Sequence, residues 1–221
     1  MGNTIFELWS KYGYVYIDGL IGTLALSAIT VSVATVVGTI LAIMKLSRIK
    51  VLDLLTTAYI SLIRGTPILL QLYFFWLVLP RLLPITISDT ASIIFALIIH
   101  ASAYIAEVIR AGIQAVDKGQ IEAARSLGLS QFNTTRKIIL PQAVKNILPA
   151  LGNEYISTLK QTSLASVFFV QELMTSYRTV QSATFLAVPS LIIVGVIYLM
   201  VTTVFAKGID VFERRLGLNE R

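Results

Sequence analysis

Five stretches of this chain are apolar over lengths that a membrane would require. Leu20 to Met44 is uncharged over 25 residues, and Leu54 to Leu79 carries only Arg64 in 26. A third stretch runs from about Thr90 to Gly112, with Glu107 and Arg110 in its last part. A fourth runs from about Ile147 to Val170, with Glu154 and Lys160 inside. The fifth, Thr184 to Ala206, is uncharged over 23 residues. A bilayer core of about 30 Å needs about 20 helical residues. The pattern therefore predicts an all-α integral membrane protein with five transmembrane helices, at about 20–44, 54–79, 90–112, 147–170 and 184–206, in a single domain over 1–221. The third and fourth stretches are polar enough to want protein or water neighbours. None of the five alternates as the strands of a membrane barrel would. No basic region precedes the first run, so it does not read as a cleaved signal.

Composition sharpens this. The chain is 56% apolar and 14% charged, against roughly 45–50% and about 25% in soluble domains. With no cysteine, disulfides, thiolate metal sites and cysteine nucleophiles are excluded. The net charge of +6 acquires meaning from its placement. Lys45, Arg48, Lys50, Lys118, Arg125, Arg136, Lys137, Lys145, Lys207, Arg214, Arg215 and Arg221 fall on one side of the expected spans. Lys11, Arg81 and Arg178 fall on the other. Twelve against three is a positive-inside signal. It puts the N-terminus outside, and the C-terminus and the Gln114–Asn146 loop in the cytoplasm. The basic excess reads as orientation and contact with anionic lipid, not as a nucleic-acid surface.

The long loop carries its own punctuation. Asp117 can cap a helix, with Gln120 three residues on to reach back. Good helix formers follow through Leu127, and Gly128 stops them. Ser130 can cap a second helical stretch, and Pro141 and Pro149 mark the approach to the fourth span. Ile121, Ala124 and Leu127 share one side. From the residues alone this is either an amphipathic helix lying on lipid or a docking helix for a soluble partner.

Glu122-Ala123-Ala124, three residues, Gly128, nine residues, and Ile138-Ile139-Leu140-Pro141 resemble the coupling-loop signature E-A-A-x3-G-x9-I-x-L-P of ABC importer permeases. Other stretches resemble the polar amino-acid uptake branch of that family. They are Arg64-Gly65-Thr66-Pro67 followed by Gln71, His100 to Glu107, Leu151 to Ser157, and Lys160 to Ala165. Gln161 departs from it, since many members carry an acidic residue there, and the departure bears on substrate preference.

The resemblance implies a type I importer transmembrane fold. It implies a second permease subunit, identical or similar, two cytoplasmic ATP-binding subunits, and an external solute-binding protein delivering an amino acid. The docking residues would be Gln120, Glu122, Ala123, Ala124, Arg125, Leu127, Gly128 and Leu129. No phosphate-binding G-x-x-x-x-G-K-[ST] occurs in the chain, so ATP and Mg are expected on the partners and no cofactor on this subunit.

Ionisable groups inside spans usually face a cavity or a partner. Asn153, Glu154, Ser157 and Gln161 fall in one polar stripe of the fourth span, whereas Lys160 lies elsewhere around the helix. Arg64, Thr66, Pro67, Gln71 and Tyr104 complete the expected pathway set, with Pro67 kinking the second span. An amino acid needs a cation for its carboxylate, from Arg64 or Lys160, and an acceptor for its ammonium, from Glu154. Structural ion pairing, such as Glu107 with Arg110, competes with these roles, and His100 reads as a helix-packing hydrogen bonder. The rival functions are an ion-coupled carrier or channel, against which the coupling loop argues, and a membrane enzyme, for which no catalytic set exists.

Overall fold

A computed structural model describes residues 2–47, 49–82 and 87–215; Arg48 and Arg221 of the charge count lie outside these. Among the described residues the chain is helical throughout, and it differs from the five straight spans in instructive ways.

Helix α1, Gly2–Leu46, extends the first expected span by 18 residues at its N-terminal end. At 1.5 Å per residue it is about 68 Å long, roughly twice a bilayer core. One stripe of it is buried and made of small or short side chains: Gly19, Thr23, Ser27, Thr30, Ala34, Gly38 and Ala42. Such residues let helix backbones approach closely. At Gly38 an added Cβ would sit 2.8 Å from Ile105 and 3.0 Å from the Ser102 carbonyl.

The second expected span is corrected by the structure. It consists of α2, Lys50–Arg64, and α3, Ile68–Leu82, bent by 106° at the intervening break. Pro67 supplies no N–H and its ring clashes with the preceding turn; the Gly65 N–H closes α2 onto the Ser61 carbonyl. The sequence predicted a kink within one span and the chain turns a corner.

Helix α4, Asp89–Gln114, matches the third span and is the central element. It packs most extensively against α1 and also meets α2, α3 and α7. Its polar residues therefore have the protein neighbours that its composition demanded.

The long loop holds two helices, α5, Lys118–Ser126, and α6, Gln131–Thr134. A π-helical turn over 135–139 then runs into α7, Leu140–Gln161. The fourth expected span thus starts seven residues early. Pro141 does not stop it: the helical backbone is continuous from Gln131, and the π-helical turn immediately before Pro141 shifts the hydrogen bonding where proline has no N–H to give. It also ends early, passing into a 3₁₀ segment, Thr162–Phe168, that closes at Phe169 with φ 56°.

The segment expected as an external loop, 171–183, is mostly helical: α8, Leu173–Thr184. Glu172 caps it, accepting from the Met174 and Thr175 backbone N–H groups, and also from the Tyr198 hydroxyl at 3.1 Å. Burial pushes the Glu172 carboxyl up from its ordinary range while these hydrogen bonds act the other way. The Leu173 N–H donates to Thr23 Oγ1 at 3.0 Å, and the Ser176 hydroxyl to the Val15 carbonyl at 2.7 Å, so α8 is tied to α1. Helix α9, Ala187–Arg215, outruns the fifth span by nine residues.

By length and apolarity, α1, α4 and α9 can each cross a membrane, and the bent α2–α3 pair can serve as a fourth, broken span. Helix α7 falls outside that set; it carries Lys145, Glu154 and Lys160.

Candidate functional site

The expected pathway residues separate into two groups. The first surrounds the α2–α3 corner. Arg64 ends α2, its side chain 45% exposed, with its guanidinium 5.4 Å from the centre of the Tyr104 ring. Its Nη1 lies 3.5 Å from Glu107, which also takes Lys45 at 3.1 Å and Arg110 through two hydrogen bonds of 3.0 and 2.8 Å. One carboxylate on α4 thus gathers cations from α1, α2 and its own helix. The Glu107–Arg110 pair is the i, i+3 arrangement expected of a structural ion pair. Lys45 was not foreseeable, because it comes from the far end of another helix. Thr66 is half-buried, Pro67 is exposed and Gln71 is buried.

The second group is the polar face of α7. Asn153 is exposed, and Glu154, Ser157 and Gln161 are half-buried on one side; the Gln161 amide reaches Ser157 Oγ at 3.5 Å. Glu154 Oε1 is buried and meets no hydrogen-bond donor among the described residues. Lys160, as its angular position predicts, points away, into a concavity of about 400 Å³ shared with Ser163, Ser166, Met174 and Tyr198. Among the described residues no ion pair joins the corner group to the α7 group.

The coupling loop holds the local structure that its punctuation predicts. Asp117 accepts from the Gln120 N–H at 3.0 Å. The reciprocal half of the capping box is not made: Gln120 Oε1 accepts instead from the Gln142 amide at 2.7 Å, pinning α5 to the start of α7. At the other end Gly128 takes φ +83°. Its N–H donates to the Arg125 carbonyl at 2.9 Å and that of Leu129 to Ala124 at 3.1 Å, a Schellman closure. Ser130 caps the next turn through the Asn133 N–H. Of the shared apolar side, Ala124 is buried and Ile121 half-buried, but Leu127 is 80% exposed, and Phe132 in α6 is 71% exposed. Gln120, Glu122, Ala123, Arg125 and Gly128 are exposed and Leu129 is half-buried. The loop presents a rigid, largely uncovered surface with two apolar projections.

Residues 34–218 match the family described as binding-protein-dependent transport system inner membrane component. The chain belongs to that family. The permease is 38% identical over 202 residues to a probable glutamine ABC transporter permease protein, GlnM, of Bacillus subtilis, covering 91% of this chain and 93% of that one. A crystal structure described as an amino acid ABC transporter with histidines superposes with a TM-score of 0.91 at 44% identity, over 95% of this chain and 98% of that chain. The methionine transporter MetNI, in an inward-facing conformation, shares the fold alone, with a TM-score of 0.75 at 18% identity over 92% and 96% of the two chains. The permease is an ABC importer component of the inner membrane, crossing it more than once. Permeases of this family work with ATP-binding subunits and a solute-binding protein.

Proposed function

We propose that this permease forms, with a second permease subunit, the pathway for uptake of a polar or charged L-amino acid, driven by ATP hydrolysis in two partner subunits. The relatives point to an amino acid: one carries glutamine in its name, and the nearly superposable structure is of an amino acid transporter. The fold is of the type I importer kind, and we assign it five membrane crossings: α1, the broken α2–α3 pair, α4, α7 and α9. The N-terminus lies outside and α5 in the cytoplasm, an orientation supported by the twelve-to-three distribution of Lys and Arg. Helix α5, with Gln120, Glu122 to Arg125 and Leu127 to Leu129, docks into the ATP-binding subunit. ATP and Mg bind there, and this chain holds no cofactor. ATP binding drives the pathway only by favouring one of its states over the other.

Glu154 carries the pathway assignment. A half-buried carboxylate with one oxygen beyond reach of any protein donor is costly unless something occupies it. A substrate ammonium is a fitting occupant. Asn153, Ser157 and Gln161 flank it on the same helix, and Gln161 widens acceptance towards neutral polar side chains. Arg64 and Lys160 supply candidate cations for the substrate carboxylate, while Thr66, Pro67, Gln71 and Tyr104 shape the corner.

Glu154→Gln keeps size and removes charge. A hydrogen bond to a charged group contributes about 1.5–3 kcal/mol, so substrate-stimulated ATP hydrolysis should fall at least about tenfold. Basal hydrolysis and assembly should persist. Uptake that is unchanged in the variant would remove Glu154 from the pathway.

A further inference from the structure

We propose that Gln71 and His100 form a positioning pair that sets the α2–α3 corner, and through it the place of Arg64, without contacting substrate. Pro67 interrupts the hydrogen bonding between α2 and α3. In a continuous helix the carbonyl of Ile63 would accept from the N–H of residue 67, and proline has none. The side-chain amide of Gln71 occupies that vacancy, donating to the Ile63 carbonyl at 2.7 Å. The same nitrogen approaches Thr66 Oγ1 at 2.8 Å and the Thr66 carbonyl at 3.1 Å. Thr66 Oγ1 in turn donates to the Leu62 carbonyl at 2.9 Å. Two of the last carbonyls of α2 are thus capped by side chains, one from Thr66 in the break and one from Gln71 in α3.

The orientation of that amide is fixed from α4. Gln71 Oε1 lies 3.0 Å from His100 Nδ1. An amide oxygen can only accept, so His100 donates through Nδ1. Both side chains are buried, Gln71 at 6% and His100 at 4% exposure. The His100 ring packs on Tyr104 with centroids 4.8 Å apart, and Tyr104 carries the Arg64 guanidinium over its face. His100, Tyr104 and Glu107 recur at i, i+4 and i+7, one face of α4. That face holds the corner at Gln71 and the end of α2 at Arg64. Both polar atoms of the Gln71 amide are engaged inside the protein and the side chain is 6% exposed, which suits a positioning residue better than a ligand contact.

The test uses the assembled transporter, with the partner subunits in cysteine-free form; this chain itself has no cysteine. Cysteines for spin labels replace Leu54 and Leu77, both exposed, on the two arms of the corner. In the otherwise unchanged permease, with one doubly labelled subunit per complex or the labels diluted with unlabelled subunit, the intrasubunit distance should be single and short. In Gln71→Leu, which leaves the Ile63 carbonyl unsatisfied, it should lengthen and broaden. Uptake should fall about tenfold, by the same factor for every amino acid in a panel. His100→Leu should repeat this in milder form, serving as a second reading should Gln71→Leu assemble poorly. His100→Gln, which keeps a donor for Gln71 Oε1, should restore both the distance and uptake. An unchanged distance in Gln71→Leu would overturn the proposal, as would a shift in the ratio of amino acids carried, which would mark Gln71 as a substrate contact. The uptake arm rests on the pathway reading; the distance arm does not, so failure of one is distinguishable from failure of the other.

Discussion

Leu127→Asp should leave the permease folded and inserted, yet weaken its hold on the ATP-binding subunit by at least about 30-fold. Leu127 is 80% exposed at the end of α5, so the folded chain gains little from it. An apolar side chain held in water on a well-capped helix gains its free energy only when a partner covers it. Full burial of a leucine contributes about 2 kcal/mol, about 30-fold in affinity, and an aspartate buried in the same groove adds the penalty of an unpaired charge. The expected results are loss of the co-purifying ATP-binding subunit, no substrate-stimulated hydrolysis, and an unchanged melting temperature of the isolated permease. Gly128→Val approaches the same surface through the backbone. A β-branched residue at φ +83° costs about 1–3 kcal/mol and should undo the Schellman closure, misdirecting Leu127. If Leu127→Asp retains its full complement of ATP-binding subunit, α5 is not the docking element.

The second large effect is on stability. Gly22→Leu should destabilise the permease by about 3 kcal/mol or more, the upper end of the range for overpacked sites, and lower its melting temperature by roughly 10 °C. A Cβ at position 22 would collide with the backbone carbonyl of Gln171 and stand 3.4 Å from Glu172 Cα. Backbone cannot swing aside as a side chain does. Relief would require α8 to lift from α1, breaking the Leu173-to-Thr23 and Ser176-to-Val15 hydrogen bonds and opening the buried Glu172 cap to water. By contrast, a Cβ at Gly195 meets nothing within 4 Å among the described residues, and Gly195→Leu should be tolerated. Equal melting temperatures for the two variants would show that the α1–α8 contact carries no such constraint.

Much of this was legible in the chain. The membrane class, the helical content, the position of α4 and the caps at Asp117, Gly128 and Ser130 follow from local pattern, because each depends on residues within one or two turns. Glu107 with Arg110 was legible for the same reason, as was the direction of Lys160 away from Glu154. The misread elements share a cause. Helix α8 begins at Glu172, a residue with weak capping preference; it caps here because it is buried against Tyr198, 26 residues on. The corner at Gly65–Pro67 looks like a kink until the amide of Gln71 and the ring of His100 are seen to stabilise the open carbonyls.

The sequence by itself therefore determined solvent, helicity and the helix caps of the 114–146 loop, for these rest on apolar run length, charge placement and nearest-turn hydrogen bonds. Only the tertiary structure decided which way the second span turns, which cations share Glu107, and which polar atoms are already taken. It left Gln71 fully engaged and one oxygen of Glu154 without a protein partner. The physical reason is that buried polar groups are satisfied by whatever donor or acceptor packing brings within about 3 Å. That partner is a property of neighbouring helices, and hydropathy along one chain does not encode it.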